Sequence, residues 1–167
     1  MPKAISMSRR ERKPLYNKGE RERRDRSPWT RVQAVLAPIQ FFVFLVSLVL
    51  VARYMMSGEG LAAAHLSIVV KTLILYTIMV TGAIWEKDVF GQYLFAPAFF
   101  WEDVVSMAVI GFHTAYLVML IASWGSPATQ LIVALIGYFI YVVNAGQFVW
   151  KLRAARLGAS EMQEVPA

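Results

Sequence analysis

Four carboxylic acids stand close together in the middle of this chain: Glu86, Asp88, Glu102 and Asp103. They are four of the seven acids found beyond residue 31. Neighbouring carboxyls suit general acid–base work, one group giving a proton while another takes or aims one. The residues packed among them are aromatic: Trp85, Phe90, Tyr93, Phe95, Phe99, Phe100 and Trp101, with Pro97 stiffening the stretch. Such side chains favour the membrane–water interface. The spacing therefore describes a proton-handling site in the headgroup layer, beside which a flat, greasy substrate can lie. A carboxyl held in apolar surroundings keeps its proton and can serve as the acid.

A structural alternative stands next to this one. Acids at the start of a helix are stabilised by the helix dipole, which accounts for Glu102 and Asp103 without any chemistry. Glu86 and Asp88 end a helix, where the dipole disfavours them, and so need another reason.

Further along, Glu102, Ser106, His113 and Tyr116 share one face of a predicted helix. Glu102 and His113 are about 16 Å apart along the axis, too far to bond each other but within the span of one broad ligand. Ionisable groups inside a membrane are functional by default, so His113 and Tyr116 join Phe100 and Trp101 as expected substrate contacts; the structural reading is that His113 bonds a neighbouring helix and holds the bundle together. Asn144 lies on a face with Gly137, Tyr141 and Phe148; it suits an interhelical hydrogen bond, with substrate contact as the second reading. His65 and Lys71 read as structural, with Lys71 snorkelling to the nearer interface.

The elements that must position these groups are membrane helices. The 167 residues are 57% hydrophobic, and long runs carry no charge. Spans are expected at about 32–53, 61–85, 104–124 and 131–150. The first opens at Ser27, a capping serine, followed by Pro28 and the interfacial Trp29, and carries a kink at Pro38. The expected fold is all-α, a four-helix membrane bundle over 29–153. A basic arm, either mobile or a surface helix, occupies 1–28, and a tail occupies 154–167. Residues 1–31 hold eleven Lys/Arg against four acids. This asymmetry predicts both termini in the cytoplasm and a grip on anionic lipid. Nucleic-acid binding is the poorer reading, because no folded reader or interleaved aromatics accompany the arm. Ser8, Arg9 and Arg10 are not an export signal, since charges rather than an apolar run follow them.

Several function classes drop out. With no cysteine, thiolate metal sites and cysteine nucleophiles are excluded. No P-loop, dinucleotide fingerprint, zinc spacing or Ser-His-Asp order is present. No cofactor is expected.

Several long runs carry a resemblance: PLYNKGERERRDRSPWT at 14–30, GEGLAAA at 58–64, VVKTLILYTIMVTGAIWEKDVFGQYLFAPAFFWEDV at 69–104, HTAY at 113–116 and NAGQFVWKLR at 144–153. Together they resemble the 3-vinyl bacteriochlorophyllide hydratase family of bacteriochlorophyll biosynthesis. The resemblance implies a lyase that hydrates the C3 vinyl group of chlorophyllide to a 1-hydroxyethyl group, in the bacterial inner membrane. It implies a magnesium tetrapyrrole as substrate, beside membrane lipid. Oligomeric state and contact with neighbouring pathway enzymes stay open. It carries over no catalytic motif. On this reading Glu102 or Glu86 is the acid, Asp103 or Asp88 aims water, and His113 is able to ligate the substrate's magnesium. The alternative is a pigment carrier without catalysis, in which the same aromatics and histidine only bind.

Overall fold

The computed structural model describes residues 15–163. The first fourteen residues of the expected arm and the last four of the expected tail lie outside the described residues. Among the described residues five helices follow one another: α1 (Lys18–Arg26), α2 (Pro28–Ser57), α3 (Leu61–Phe90), α4 (Phe100–Ile121) and α5 (Pro127–Gln163). The last four are each long and apolar enough to cross a membrane, which makes this an all-α, multi-pass membrane protein. Helices suit the bilayer because every backbone group is satisfied within the segment. The outer surface is apolar to match: Phe42, Val49, Phe139 and Val149 all face outward. On a soluble protein such a surface would aggregate; it suits helices that face lipid.

The helices pair as two tight hairpins, α2 with α3 and α4 with α5. Gly58 and Gly60, both at positive φ, close the first turn. The two hairpins then meet along a seam that is polar. Lys71 Nζ lies 3.1 Å from His113 Nε2, His65 Nδ1 lies 2.7 Å from the Tyr116 hydroxyl, and Ser47 Oγ lies 2.5 Å from the Tyr138 hydroxyl. Each of these bonds joins one hairpin to the other. In lipid, where apolar contact between helices gives little drive to associate, interhelical hydrogen bonds and close packing hold a bundle together.

Three expectations need correction. Lys71 does not snorkel: it is fully buried and its ammonium sits 4.3 Å from the centre of the Tyr141 ring. The reason is its register, since it shares the buried stripe of α3 with Ala64, Ile68 and Leu75. Ser27 stands at the start of α2 but makes no side-chain cap; its hydroxyl donates to Asp88 Oδ2 at 2.8 Å instead. The helix ends also differ. α3 runs past Trp85 to Phe90, stopping at the left-handed Gly91, and α4 starts at Phe100. At 30 residues α3 is about 45 Å long, well beyond the ~30 Å hydrocarbon core. A helix of that length tilts or projects beyond the core, and Glu86 and Asp88 sit on its last turns. α2 continues unbroken through Pro38.

The described part of the basic arm is a surface helix docked on the end of α3. Asn17 caps α1 with a reciprocal capping box to Glu20. Arg23 Nε donates to the Val89 carbonyl at 2.7 Å, one of the carbonyls left free at a helix end. Tyr16 is buried against Phe90, and Arg24 lies 4.9 Å above its ring. Burial pushes the Tyr16 phenol up from its usual range, with Arg24 opposing.

Candidate active site

The four carboxyls separate into three settings. Glu86, on the next-to-last turn of α3, and Asp103, in the first turn of α4, are both buried. Their carboxyl groups lie within hydrogen-bonding reach of each other. Two negative charges that close repel strongly in a poorly solvated site, an arrangement suited to holding one proton between them.

The loop between the two helices is folded around this pair. Phe95 N–H donates to Asp103 Oδ2 at 2.7 Å, and Ala96 N–H donates to Glu86 Oε2 at 3.2 Å. To present those amides, Phe95 adopts φ 60, a conformation unfavourable for a bulky residue. Strain of this kind costs roughly 1–3 kcal/mol and persists only where surrounding contacts hold it.

Glu102 is buried but occupied elsewhere. Its Oε2 lies 2.5 Å from Lys151 Nζ on α5. Lys151 also donates to the Ala98 carbonyl and sits 5.0 Å from the centre of the Phe99 ring. This contact holds Glu102 as the carboxylate of an ion pair and ties the start of α4 to α5. Asn144 strengthens the same joint: Nδ2 donates to the Glu102 carbonyl at 2.8 Å, and Oδ1 accepts from Ser106 at 3.3 Å. Asp88 is exposed and belongs to the α1 side, where Ser27 holds it. It is two residues from Glu86, hence about 200° around the helix.

Phe100 and Trp101 lie outside the bundle, at 43% and 68% exposure. They meet edge to face, and Phe95 packs on Phe100. The three rings form an aromatic ledge next to the loop that holds the carboxyl pair.

His113 and Tyr116 sit deeper and are fully buried. Both His113 nitrogens are engaged: Nδ1 faces the Val109 carbonyl at 2.8 Å and Nε2 faces Lys71. With Nδ1–H given to the carbonyl, Nε2 is the acceptor and Lys71 the donor. The expected ligation of magnesium by His113 thus meets a ring with neither nitrogen free. Tyr116 is held by His65.

Sequence reasoning missed Lys151, which it counted only toward the charge asymmetry after the last span. It also missed Gln40, buried in α2 with neither amide atom partnered by protein. An unpaired buried amide costs roughly 1–3 kcal/mol. One signal was legible: Gln40 lies on the stripe of Phe44, Ser47 and Val51, the inward face of α2. Two surface grooves of about 300 Å³ lie elsewhere, one over Ala108, Gly111 and Ala115, the other along Phe42, Val46 and Leu66. Neither is lined by the carboxyls.

A family model, that of the 2-vinyl bacteriochlorophyllide hydratases, matches residues 16–154. The chain belongs to that family. A 2-vinyl bacteriochlorophyllide hydratase of Rhodobacter capsulatus is 65% identical over 150 residues, covering 89% of this chain and 86% of the relative. One from Cereibacter sphaeroides is 61% identical over 150 residues, covering 89% of this chain and 92% of the relative. The family name numbers the vinyl-bearing ring position 2, where the resemblance above numbered it 3; a vinyl hydratase is named in both. No solved structure matches the chain. The matched stretch of the hydratase family takes in Glu86, Glu102, Asp103, Lys151 and the docked helix α1.

Proposed function

We propose that this chain adds water to the vinyl group of a bacteriochlorophyllide, with the Glu86–Asp103 pair moving the protons. Membership of the family and the high identity to two hydratases support the reaction. The observation that carries the mechanism is the facing of two buried carboxyls beside an exposed aromatic ledge.

The shared proton goes to the terminal CH₂ of the vinyl group. The π bond supplies the electron pair for the new C–H bond, leaving a cation on the carbon attached to the ring. Conjugation with the macrocycle spreads that charge. Water adds at this carbon, and its surplus proton returns to the carboxyl pair, which ends as it began. No hydride, nucleotide or redox step is required. The loop amides of Phe95 and Ala96 hold the carboxyls in place while charge passes through them. Phe95, Phe100 and Trp101 offer the ring a face to stack on from the lipid side, and the magnesium arrives as part of the substrate. Asp88 serves the docking of α1 rather than the proton transfer. Asn144 acts through Glu102, as a positioning residue.

The excess of Lys/Arg in residues 1–31 supports an inner-membrane protein with both termini, and the carboxyl pair, on the cytoplasmic side.

Membranes carrying this chain alone, given vinyl chlorophyllide in ¹⁸O-labelled water, should yield a hydroxyethyl product containing the label. Bound pigment without labelled product would refute the hydratase reading and favour the carrier.

A further inference from the structure

The seam holds a polar side chain that the mechanism above does not use. Gln40 is 2% exposed, and neither its Nε2 nor its Oε1 has a hydrogen-bond partner in the protein. Gln147 Oε1 is buried and unpartnered as well. A native interior leaves few such groups, and each calls for a reason.

Register places these groups. The Phe44 and Tyr141 rings are 5.0 Å apart, and Ser47 bonds Tyr138 one turn away. Moving from Phe44 to Ser47 on α2 therefore moves backwards, from Tyr141 to Tyr138, on α5. In the opposite direction Gln40, one turn before Phe44, falls level with Asn144. On α5 the residues Asn144, Gln147 and Lys151 follow at helical spacing on one face. Asn144 bonds Ser106 and the Glu102 backbone, and Lys151 bonds the Glu102 carboxylate. Polar side chains on α5 thus recur from the level of Gln40 to the start of α4, which carries Asp103.

We propose that Gln40 and Gln147 bind water inside this seam, and that this water is the one added to the vinyl group. An amide supplies both a donor and an acceptor, and a buried water needs two to four such partners. A hydratase working at the apolar margin of a membrane consumes water where bulk water is scarce, so an internal store solves a problem particular to its reaction. The second half of the proposal rests on the hydratase reading; the first does not. Gln40 is a positioning residue for the nucleophile, distinct from the carboxyls that move the proton.

Two measurements test this. Protein labelled with ¹⁵N-glutamine, held in lipid nanodiscs without pigment, should show a side-chain amide resonance with cross-peaks to water. That resonance should vanish in Gln40→Leu and in Gln40→Met. A Gln40 amide without a water cross-peak overturns the site. The second measurement uses vinyl chlorophyllide in D₂O. Wild type partitions the cation toward alcohol. Gln40→Met, which keeps the volume, should form alcohol at least tenfold more slowly, and the recovered substrate should carry deuterium at its terminal vinyl carbon. Deuteration arises because the cation forms, finds no water and loses a proton again. Glu86→Gln should show neither alcohol nor deuterium. Hydration at the wild-type rate in Gln40→Met, or loss of both alcohol and deuterium there, overturns the role. A wild-type chain that shows the water cross-peak but makes no alcohol leaves the water site standing and removes the hydratase reading.

Discussion

Glu86 and Asp103 come from different helices and turn their carboxyls to each other, each also accepting one N–H from the loop that joins those helices. The loop is thereby a clamp as well as a connection. Phe95, held at φ 60, supplies one of those two amides, the one that Asp103 accepts.

Removing the exchangeable proton from this pair should stop the reaction without unfolding the protein. Glu86→Gln and Asp103→Asn should each lower hydration by about 10²–10⁴-fold. An amide still accepts the loop N–H, so detergent-solubilised Tm should stay the same or rise. Loss of the vinyl absorption under single-turnover conditions is the measurement. Near-normal rates in both variants would rule the pair out as the acid.

The Lys151–Glu102 ion pair predicts a different pattern. Lys151→Met leaves a buried carboxylate without its cation and should cost about 2 kcal/mol. The joint between α4 and α5 should loosen, and activity should fall with it. Combining it with Glu102→Gln should return most of the lost stability, since no charge is then stranded. A double variant no more stable than the single one would mean the contact contributes little.

Lys71 and His113 join the hairpins at mid-seam. Lys71→Met strands His113 Nε2, and His113→Phe strands the Lys71 ammonium; each should cost roughly 1–3 kcal/mol. The double variant should cost less than the sum, because an apolar pair strands nothing. Thermal denaturation of the four proteins in one detergent gives the cycle.

Gly137 is required by the ring it faces. A Cβ built there would lie 3.0 Å from two atoms of His113 and 3.2 Å from Phe112 Cβ. Gly137→Ala should push α5 from α4 and cost roughly 1–3 kcal/mol. Gly146→Ala on the same helix has nothing within 4 Å and should be silent or slightly stabilising. Comparing their Tm values separates packing from general helix effects.

Much of this protein was legible in its residues. Uncharged runs long enough to cross a bilayer dictate four membrane helices, because only a helix satisfies its own backbone in lipid. The runs around 69–104 and 144–153 identify the family. The clustering of acids and aromatics between the second and third spans marks the candidate site. Lys71 was misread because its charge was weighed and its register was not: spaced with Ala64, Ile68 and Leu75, it must face inward whatever its charge.

Other features had no local signal. Which acid meets which depends on how two helix ends and a nine-residue gap pack, a gap whose backbone amides carry no sequence signature. Glu86 chooses Asp103, Glu102 chooses Lys151, and Asp88 chooses Ser27, yet in sequence the four acids look equivalent. Hydrophobic periodicity sets depth and face along one helix. The rotation and offset of one hairpin on the other come from side chains distant in the chain, so the partners of each buried charge were decided only when the hairpins met.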